Sequence, residues 1–303
     1  MRASFISVLH RRAARTAHAS ALAATAAFAV AFTAVPANAS EATTSDLDYV
    51  ALGDSYTAGP LVPYPTGEVG CGRSSQNYPH LVAEQIDPSS FVDNSCSGAT
   101  TNHMTQPQDI AFGTHPPQFN ALSADTDLVT VGIGGNDIGF ADIVITCARL
   151  DFYRPHGNAC QEHYTSNGVD ELARRIEETA SEIAAVLQGI HERSPNAEVF
   201  LIGYPVILPD QGNGCWPEVP ISSGDVPYLR SIEKQLNDML AAQAAANGAT
   251  YVDTYSSSIG HDVCQPDSQE WVEGYLPSDV AFPLHPNADG MENMAEQVLA
   301  TIG

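Results

Sequence analysis

The chain has 303 residues, 44% of them hydrophobic, and sets 36 acidic side chains against 12 basic ones, a formal charge of −24. That acidity argues against nucleic acid as a partner, since phosphates need basic patches, and against adsorption driven by anionic lipid head groups. It favours solubility and suits a salty medium that screens self-repulsion.

Residues 1–39 read as a signal peptide. Arg2, Arg11, Arg12 and Arg15 form a positive region, residues 21–35 an Ala-rich apolar core, and Ala37-Asn38-Ala39 a small-residue cleavage site. The apolar run is short of the ~20 residues of a spanning helix, so cleavage after Ala39 and secretion are expected, without stable membrane insertion. Removing the four arginines leaves eight basic against 36 acidic groups, a formal charge of −28 over 264 residues. No linker, repeat or charge block divides residues 40–303, which read as one domain with long loops and, as expected here, a monomer.

The strand and helix signals then alternate. Residues 49–52, 90–93, 128–133, 199–204 and 250–252 are short runs rich in β-branched and apolar residues, most of them nearly continuous, as strands covered on both faces should be. Between them, residues 77–86 suit a short helix, and residues 169–192 place Leu172, Ile176, Ile183, Val186, Leu187 and Ile190 at helical spacing. Residues 226–246 form an Ala-rich helix closed by Asn247-Gly248, and residues 287–302 a last helix just after Pro286. Strand followed by helix, repeated, predicts an α/β fold with a five-stranded parallel sheet and helices on both faces. Function in such folds gathers just beyond the carboxyl ends of strands.

Three of those positions, and one just before the last helix, carry unusual segments. Gly53-Asp54-Ser55 follows the first strand, Ser95-Cys96-Ser97-Gly98 the second, and Gly134-Gly135-Asn136-Asp137 the third; Leu284-His285-Pro286 precedes the last helix. Acyl transfer needs a nucleophile, a base in hydrogen-bond reach of it, and donors aimed at the oxygen that becomes negative. Ser55 supplies the first and His285 the second. The backbone N–H groups of Ser55 and Gly98 and the side-chain amide of Asn136 supply the third. Asp54 and Asp137 read as helix-capping or turn residues. The other histidines downstream of residue 39 have no matching context.

All six cysteines lie after residue 39, and in an exported chain they imply disulfides. Fifteen pairings are possible; joining nearest in sequence gives Cys71–Cys96, Cys147–Cys160 and Cys215–Cys264. Trp216 and Trp271 lie near the third pair, as packing around it or as part of a substrate groove. With no C-x-x-C and no helically spaced His pair beside a Glu, neither a metal nor an organic cofactor is expected.

The four segments, in this order, resemble the blocks of the SGNH hydrolases, the GDSL lipases and esterases, with the four name residues falling on Ser55, Gly98, Asn136 and His285. The chain is most similar to the secreted actinobacterial lipase and esterase branch. No G-x-S-x-G is present, so the α/β-hydrolase nucleophile elbow is absent. The resemblance implies a flavodoxin-like three-layer α/β/α sandwich. It also implies hydrolysis of acyl esters through a Ser55 acyl-enzyme, on glycerides or phospholipids, with residues 138–145 as a candidate acyl-pocket wall or a buried helix start. The rivals are a polysaccharide deacetylase on the same fold and a non-catalytic secreted binding module. One departure stands out: the family's Asp-x-x-His has Phe282 where the acid should be. A Ser-His dyad with the backbone carbonyl of Phe282 orienting His285 is therefore expected, unless Asp262, Asp279 or Asp289 folds back to complete a triad.

Overall fold

The structure is a computed structural model that describes residues 46–303. The signal-peptide expectation for residues 1–39 lies outside the described residues. In chain order, β1 (Asp48–Gly53) runs into the one-turn helix α1 (Ser55–Ala58), followed by α2 (Tyr78–Ile86) and β2 (Ser90–Asp93). A small hairpin of β3 (Gln108–Ile110) and β4 (Gly113–His115) precedes β5 (Leu128–Gly132), α3 (Phe140–Asp151), α4 (Ala159–Tyr164) and α5 (Glu171–Arg193). β6 (Glu198–Ile202), α6 (Val226–Ala246), β7 (Thr250–Val252) and α7 (Ala288–Ile302) complete the chain.

Five of these strands form one parallel sheet in the order β2-β1-β5-β6-β7. The chain steps outward from β1 to β2, then returns to the other side of β1 to place β5. That reversal opens a crevice outside the carboxyl ends of β1 and β5, where open α/β sheets bind ligands.

The near-continuous apolar strands divide their side chains between two cores. Val50, Leu52, Val129, Val131, Val199 and Leu201 pack with the apolar faces of α5 and α6. Tyr49, Ala51, Leu128, Phe200 and Ile202 point the other way, against Tyr78 and Val82 of α2 and Met291, Met294 and Val298 of α7. Alternation along each strand serves both faces, giving three layers. The expected α/β architecture and its five-stranded parallel sheet are thus observed.

Short polar side chains cap the helices. Asn77, Asp170 and Asn287 each accept from backbone N–H groups in the first turn of α2, α5 and α7, satisfying donors that a helix start leaves free. β6 stops at Ile202, two residues earlier than its apolar run suggests. Asn237 of α6 takes over there, accepting from Tyr204 N–H (2.8 Å) and donating to Tyr204 C=O (3.0 Å). Helices α3 and α4 and the β3–β4 hairpin extend the expected set of elements.

Cys71–Cys96, Cys147–Cys160 and Cys215–Cys264 are joined. The first ties the loop after α1 to the loop after β2, across a sequence separation of 25. Closing a loop of that size in the unfolded chain is worth about 3 kcal/mol. The Cys71→Ala/Cys96→Ala double variant should therefore lose about that much unfolding free energy, read as a lower urea midpoint with a somewhat steeper slope, since the unfolded chain is no longer cross-linked.

Candidate active site

Ser55 is the first residue of α1, directly beyond the carboxyl end of β1. Asp54 caps this turn, its Oδ1 accepting from Tyr56 N–H at 2.9 Å. Gly53 has φ 153, and a Cβ there would stand 2.2 Å from Thr57 Oγ1, so only glycine lets the strand turn this tightly. The result is a buried hydroxyl held at the sheet's functional edge.

His285 comes from the other end of the chain, on the segment just before α7. Its Nε2 lies 2.7 Å from Ser55 Oγ, and its Nδ1 lies 2.8 Å from the carbonyl oxygen of Pro283. A carbonyl only accepts, so Nδ1 carries the proton and a neutral imidazole keeps Nε2 as an acceptor. Ser55 Oγ–H is then the donor to Nε2. Burial pushes the His285 pKa down to about 4, against the opposing bond to Pro283. The base is accordingly neutral at ordinary pH.

The expected orienting carbonyl is corrected by one residue. Phe282 C=O accepts the backbone N–H of His285 (3.1 Å) and closes a turn, so it is already engaged; the imidazole reaches Pro283 instead. The Phe282 ring stands edge-on to the imidazole, 5.3 Å between centroids. None of the three candidate acids orients His285. Asp262 accepts from Cys264 N–H and Gln265 Nε2, Asp279 turns to Val280 N–H, and Asp289 is exposed in the first turn of α7.

The His285 segment is fixed from two sides. Leu284 has φ 60, a left-handed conformation that costs a branched residue roughly 1–3 kcal/mol. Its carbonyl accepts from Tyr56 OH (2.6 Å) and its N–H donates to Glu273 C=O (2.9 Å). Glu273 N–H donates to His285 C=O (3.0 Å), and its buried carboxylate accepts from Asn287 Nδ2 (2.9 Å) and Ser278 N–H (2.7 Å). Tyr56 also packs its ring against the imidazole, 4.8 Å between centroids. Neither Tyr56 nor Glu273 carries a recognisable local signature in sequence.

The two remaining segments form the opposite wall. Gly98 sits in the left-handed region at φ 79; Gln108 Nε2 donates to Ser97 C=O (2.8 Å) and Ser97 N–H to Cys71 C=O (2.9 Å), holding its turn. Asn136 Nδ2 donates to Ala99 C=O at 2.9 Å, using one of its two amide hydrogens. Asp137 accepts from both the N–H (2.9 Å) and the Oγ1 (2.6 Å) of Thr101, so the turn after β5 is tied to the one after β2. Among the described residues, the N–H groups of Ser55 and Gly98 donate to no protein atom.

Behind this wall runs a chain that sequence reasoning missed. Gly135 N–H donates to Tyr204 OH (2.7 Å), which donates to Asp54 Oδ2 (2.6 Å). Burial raises the Asp54 pKa to about 7, against the lowering effect of the Tyr204 and Tyr56 bonds. Tyr204 stands alone after β6, and no motif marks it.

Ser55 and Asn136 open onto a cavity walled by Ile138, Phe140, Ile143 and Val144 around α3, by Ile207, Leu208, Val219 and Ile221 of the loop after β6, and by Leu229, Ile232 and Leu236 of α6. The stretch 138–145 is thus both cavity wall and helix start. Trp216 packs edge-on to Phe152, and Trp271 stacks on His261; neither lines the cavity. Cys71, Cys96 and His115 cluster as metal ligands would, but the sulfurs form a disulfide and His115 Nδ1 contacts Glu68, so no thiolate is offered there.

The profile of the GDSL-like lipase/acylhydrolase family matches residues 51–292. Lipase 2 of Streptomyces coelicolor is 37% identical over 274 residues, 89% of each chain. The crystal structure of a phospholipase A1 from Streptomyces albidoflavus superposes with TM-score 0.71 at 27% identity, covering 86% of this chain and all of that one. An extracellular lipase from Streptomyces rimosus superposes with TM-score 0.69 at 28% identity, covering 85% and 100%. The nucleophile turn, the His285 segment and the fold that joins them therefore stand in a chain that belongs to the GDSL-like lipase/acylhydrolase family and is a carboxylic ester hydrolase.

Proposed function

We propose that this hydrolase is secreted and acts on lipid acyl esters through a Ser55–His285 dyad. The reading is carried by the aliphatic cavity that opens directly from Ser55. Transfer of an acyl chain into it gains roughly 0.8 kcal/mol per buried methylene, enough to select long chains over short ones. Acetyl groups would leave that wall unfilled, which counts against the polysaccharide deacetylase. Three disulfides support an oxidising destination, and among the described residues no helix is long and apolar enough to cross a membrane.

In the proposed reaction, Nε2 of His285 takes the Ser55 proton as Oγ bonds to the ester carbonyl carbon. The carbonyl electron pair moves onto oxygen, where the N–H groups of Ser55 and Gly98 and the second amide hydrogen of Asn136 receive it. The bond to the alcohol then breaks, and Nε2–H returns the proton to the departing oxygen. Water repeats the sequence, giving its proton to Nε2 and its oxygen to the acyl carbon; the proton then passes back to Ser55 Oγ as the acid leaves. Pro283 C=O keeps Nδ1–H in place throughout and supplies no formal charge.

A fluorophosphonate probe should label the wild type and fail to label Ser55→Ala, while nitrophenyl esters of rising length should give kcat/KM climbing into medium or long chains. An acetate optimum would reject the lipid reading. Because the base must be neutral, kcat/KM should hold as pH falls past 6.5 and drop about tenfold per unit only below a midpoint near 4, measured on enzyme shown to remain folded. Single Asp262→Asn, Asp279→Asn and Asp289→Asn variants should each keep kcat within a few-fold of wild type, against the ~10⁴-fold loss that follows removal of a working triad acid.

A further inference from the structure

Tyr204 stands just beyond the carboxyl end of β6 and belongs to none of the four segments, yet it bridges the turns that carry Ser55 and Asn136. Its backbone is clamped by Asn237, which accepts from Tyr204 N–H at 2.8 Å and donates to Tyr204 C=O at 3.0 Å. Its phenol is buried, and its hydrogen bonds have a fixed sense. Gly135 N–H can only donate, so Tyr204 OH accepts it (2.7 Å) and gives its own hydrogen to Asp54 Oδ2 (2.6 Å). One hydroxyl thus joins the residue before Ser55 to the residue before Asn136.

The glycine at position 135 answers to this contact. Its φ lies outside the left-handed region, so a left-handed turn is not the reason for it. What leaves no room for a side chain is the phenol: a Cβ would stand 3.0 Å from both Cζ and OH of Tyr204, tighter than side chains ordinarily pack. The other ties of the Asn136 turn lead elsewhere. Asn136 Nδ2 bonds to Ala99 C=O and Asp137 to Thr101, which places the amide relative to Gly98. The nucleophile turn meets β5 at Gly132, whose C=O accepts from Asp54 N–H (2.9 Å), short of the turn that bears the amide. Tyr204 OH closes that gap.

We infer that Tyr204 is a positioning residue for ester hydrolysis: through Gly135 N–H and Asp54, its hydroxyl holds the Asn136 amide in register with Ser55 Oγ, where the amide meets the developing oxyanion. The inference rests on the reading of Asn136 as an oxyanion donor. In this role Tyr204 has no need to touch the substrate. Its effect on the reaction passes through Asn136.

The test is a double-mutant cycle of Tyr204→Phe and Asn136→Ala in the full-length protein, with kcat on nitrophenyl octanoate counted per site titrated by a fluorophosphonate, so that misfolded material does not enter. Asn136→Ala should lower kcat about 10²–10³-fold, the loss that follows removal of one oxyanion donor. Tyr204→Phe keeps the ring and removes the hydroxyl. It should lower kcat about tenfold with KM nearly unchanged, and that loss should vanish in the Asn136→Ala background. An equal loss in both backgrounds would overturn the inference, since Tyr204 would then act on Ser55 or on the fold at large. So would a Tyr204→Phe enzyme with a lower melting temperature and wild-type kcat. If Tyr204→Phe does not fold, Gly135→Ala asks the same question by displacing the phenol without deleting it: the same coupled loss is expected, and wild-type kcat overturns the inference. The two levels separate at Asn136. If Asn136→Ala keeps wild-type kcat, the oxyanion reading falls and this inference with it; if Asn136→Ala loses kcat and Tyr204→Phe does not, this inference falls alone.

Discussion

A backbone carbonyl can hold an imidazole in place, but it cannot neutralise the charge that the imidazole acquires. That constraint governs the site, because His285 Nδ1 is met by Pro283 C=O and, among the described residues, by no carboxylate. Orientation then depends entirely on where the backbone of residues 283–285 lies. The structure fixes that backbone more heavily than a loop ordinarily is: Leu284 is held in a left-handed conformation by Tyr56 OH on one side, and by paired bonds with Glu273 on the other. Glu273 in turn has its carboxylate engaged by Asn287, the cap of α7, and by the turn at Ser278. The missing side-chain acid is replaced by position, and the cost is distributed over several ordinary hydrogen bonds.

The second consequence is electrostatic. A buried imidazole with a neutral partner stays uncharged until the reaction charges it, and its pKa of about 4 expresses that. Asp54 is moved in the opposite direction by the same desolvation, to about 7. Ser55 thus faces a base free of charge on one side and an aliphatic cavity on the other. In so dry a setting, the N–H dipoles of Ser55 and Gly98, which donate to no protein atom among the described residues, act with less screening than they would in water. Their placement is shared between segments: Asp137 ties the Asn136 turn to Thr101, and Asn136 itself ties to Ala99 beside Gly98.

What the amino-acid sequence discloses depends on how local its cause is. The five parallel strands are legible because each is a compact run of apolar, β-branched residues; Asn77, Asp170 and Asn287, counted within the expected helices, prove to be their caps. Ser55, Gly98, Asn136 and His285 are legible because each stands in a small-residue turn at a strand or helix end, in an order that few chains share. Pro283 is not, since a carbonyl acceptor belongs to every residue and only the backbone path, bent by Leu284, selects one; Phe282 is the neighbouring choice and is wrong by a single step. Tyr204 and Glu273 are invisible for a related reason: their partners lie 150 and 14 residues away, at Asp54 and Asn287. The β3–β4 strands are three residues long, too short for alternation to show.

The cavity shows the same division between motif and architecture. Its end at Ser55 and Asn136 is built from segments that carry the family resemblance, whereas its far wall comes from the loop after β6 and from one face of α6. That face must do two things at once. Leu240 and Ala244 pack into the core with α5, while Leu229, Ile232 and Leu236, nearer the start of the helix, line empty space. An apolar stripe in sequence cannot distinguish a side chain that meets protein from one that lines a cavity, because both follow the same 3.6-residue period. What separates them is the path of the chain after Ile202: it leaves the sheet at Tyr204 under the hold of Asn237 and sets Ile207 and Leu208 in the cavity wall. The far wall of the cavity is therefore set less by the four segments that carry the resemblance than by the loop after β6 and the start of α6.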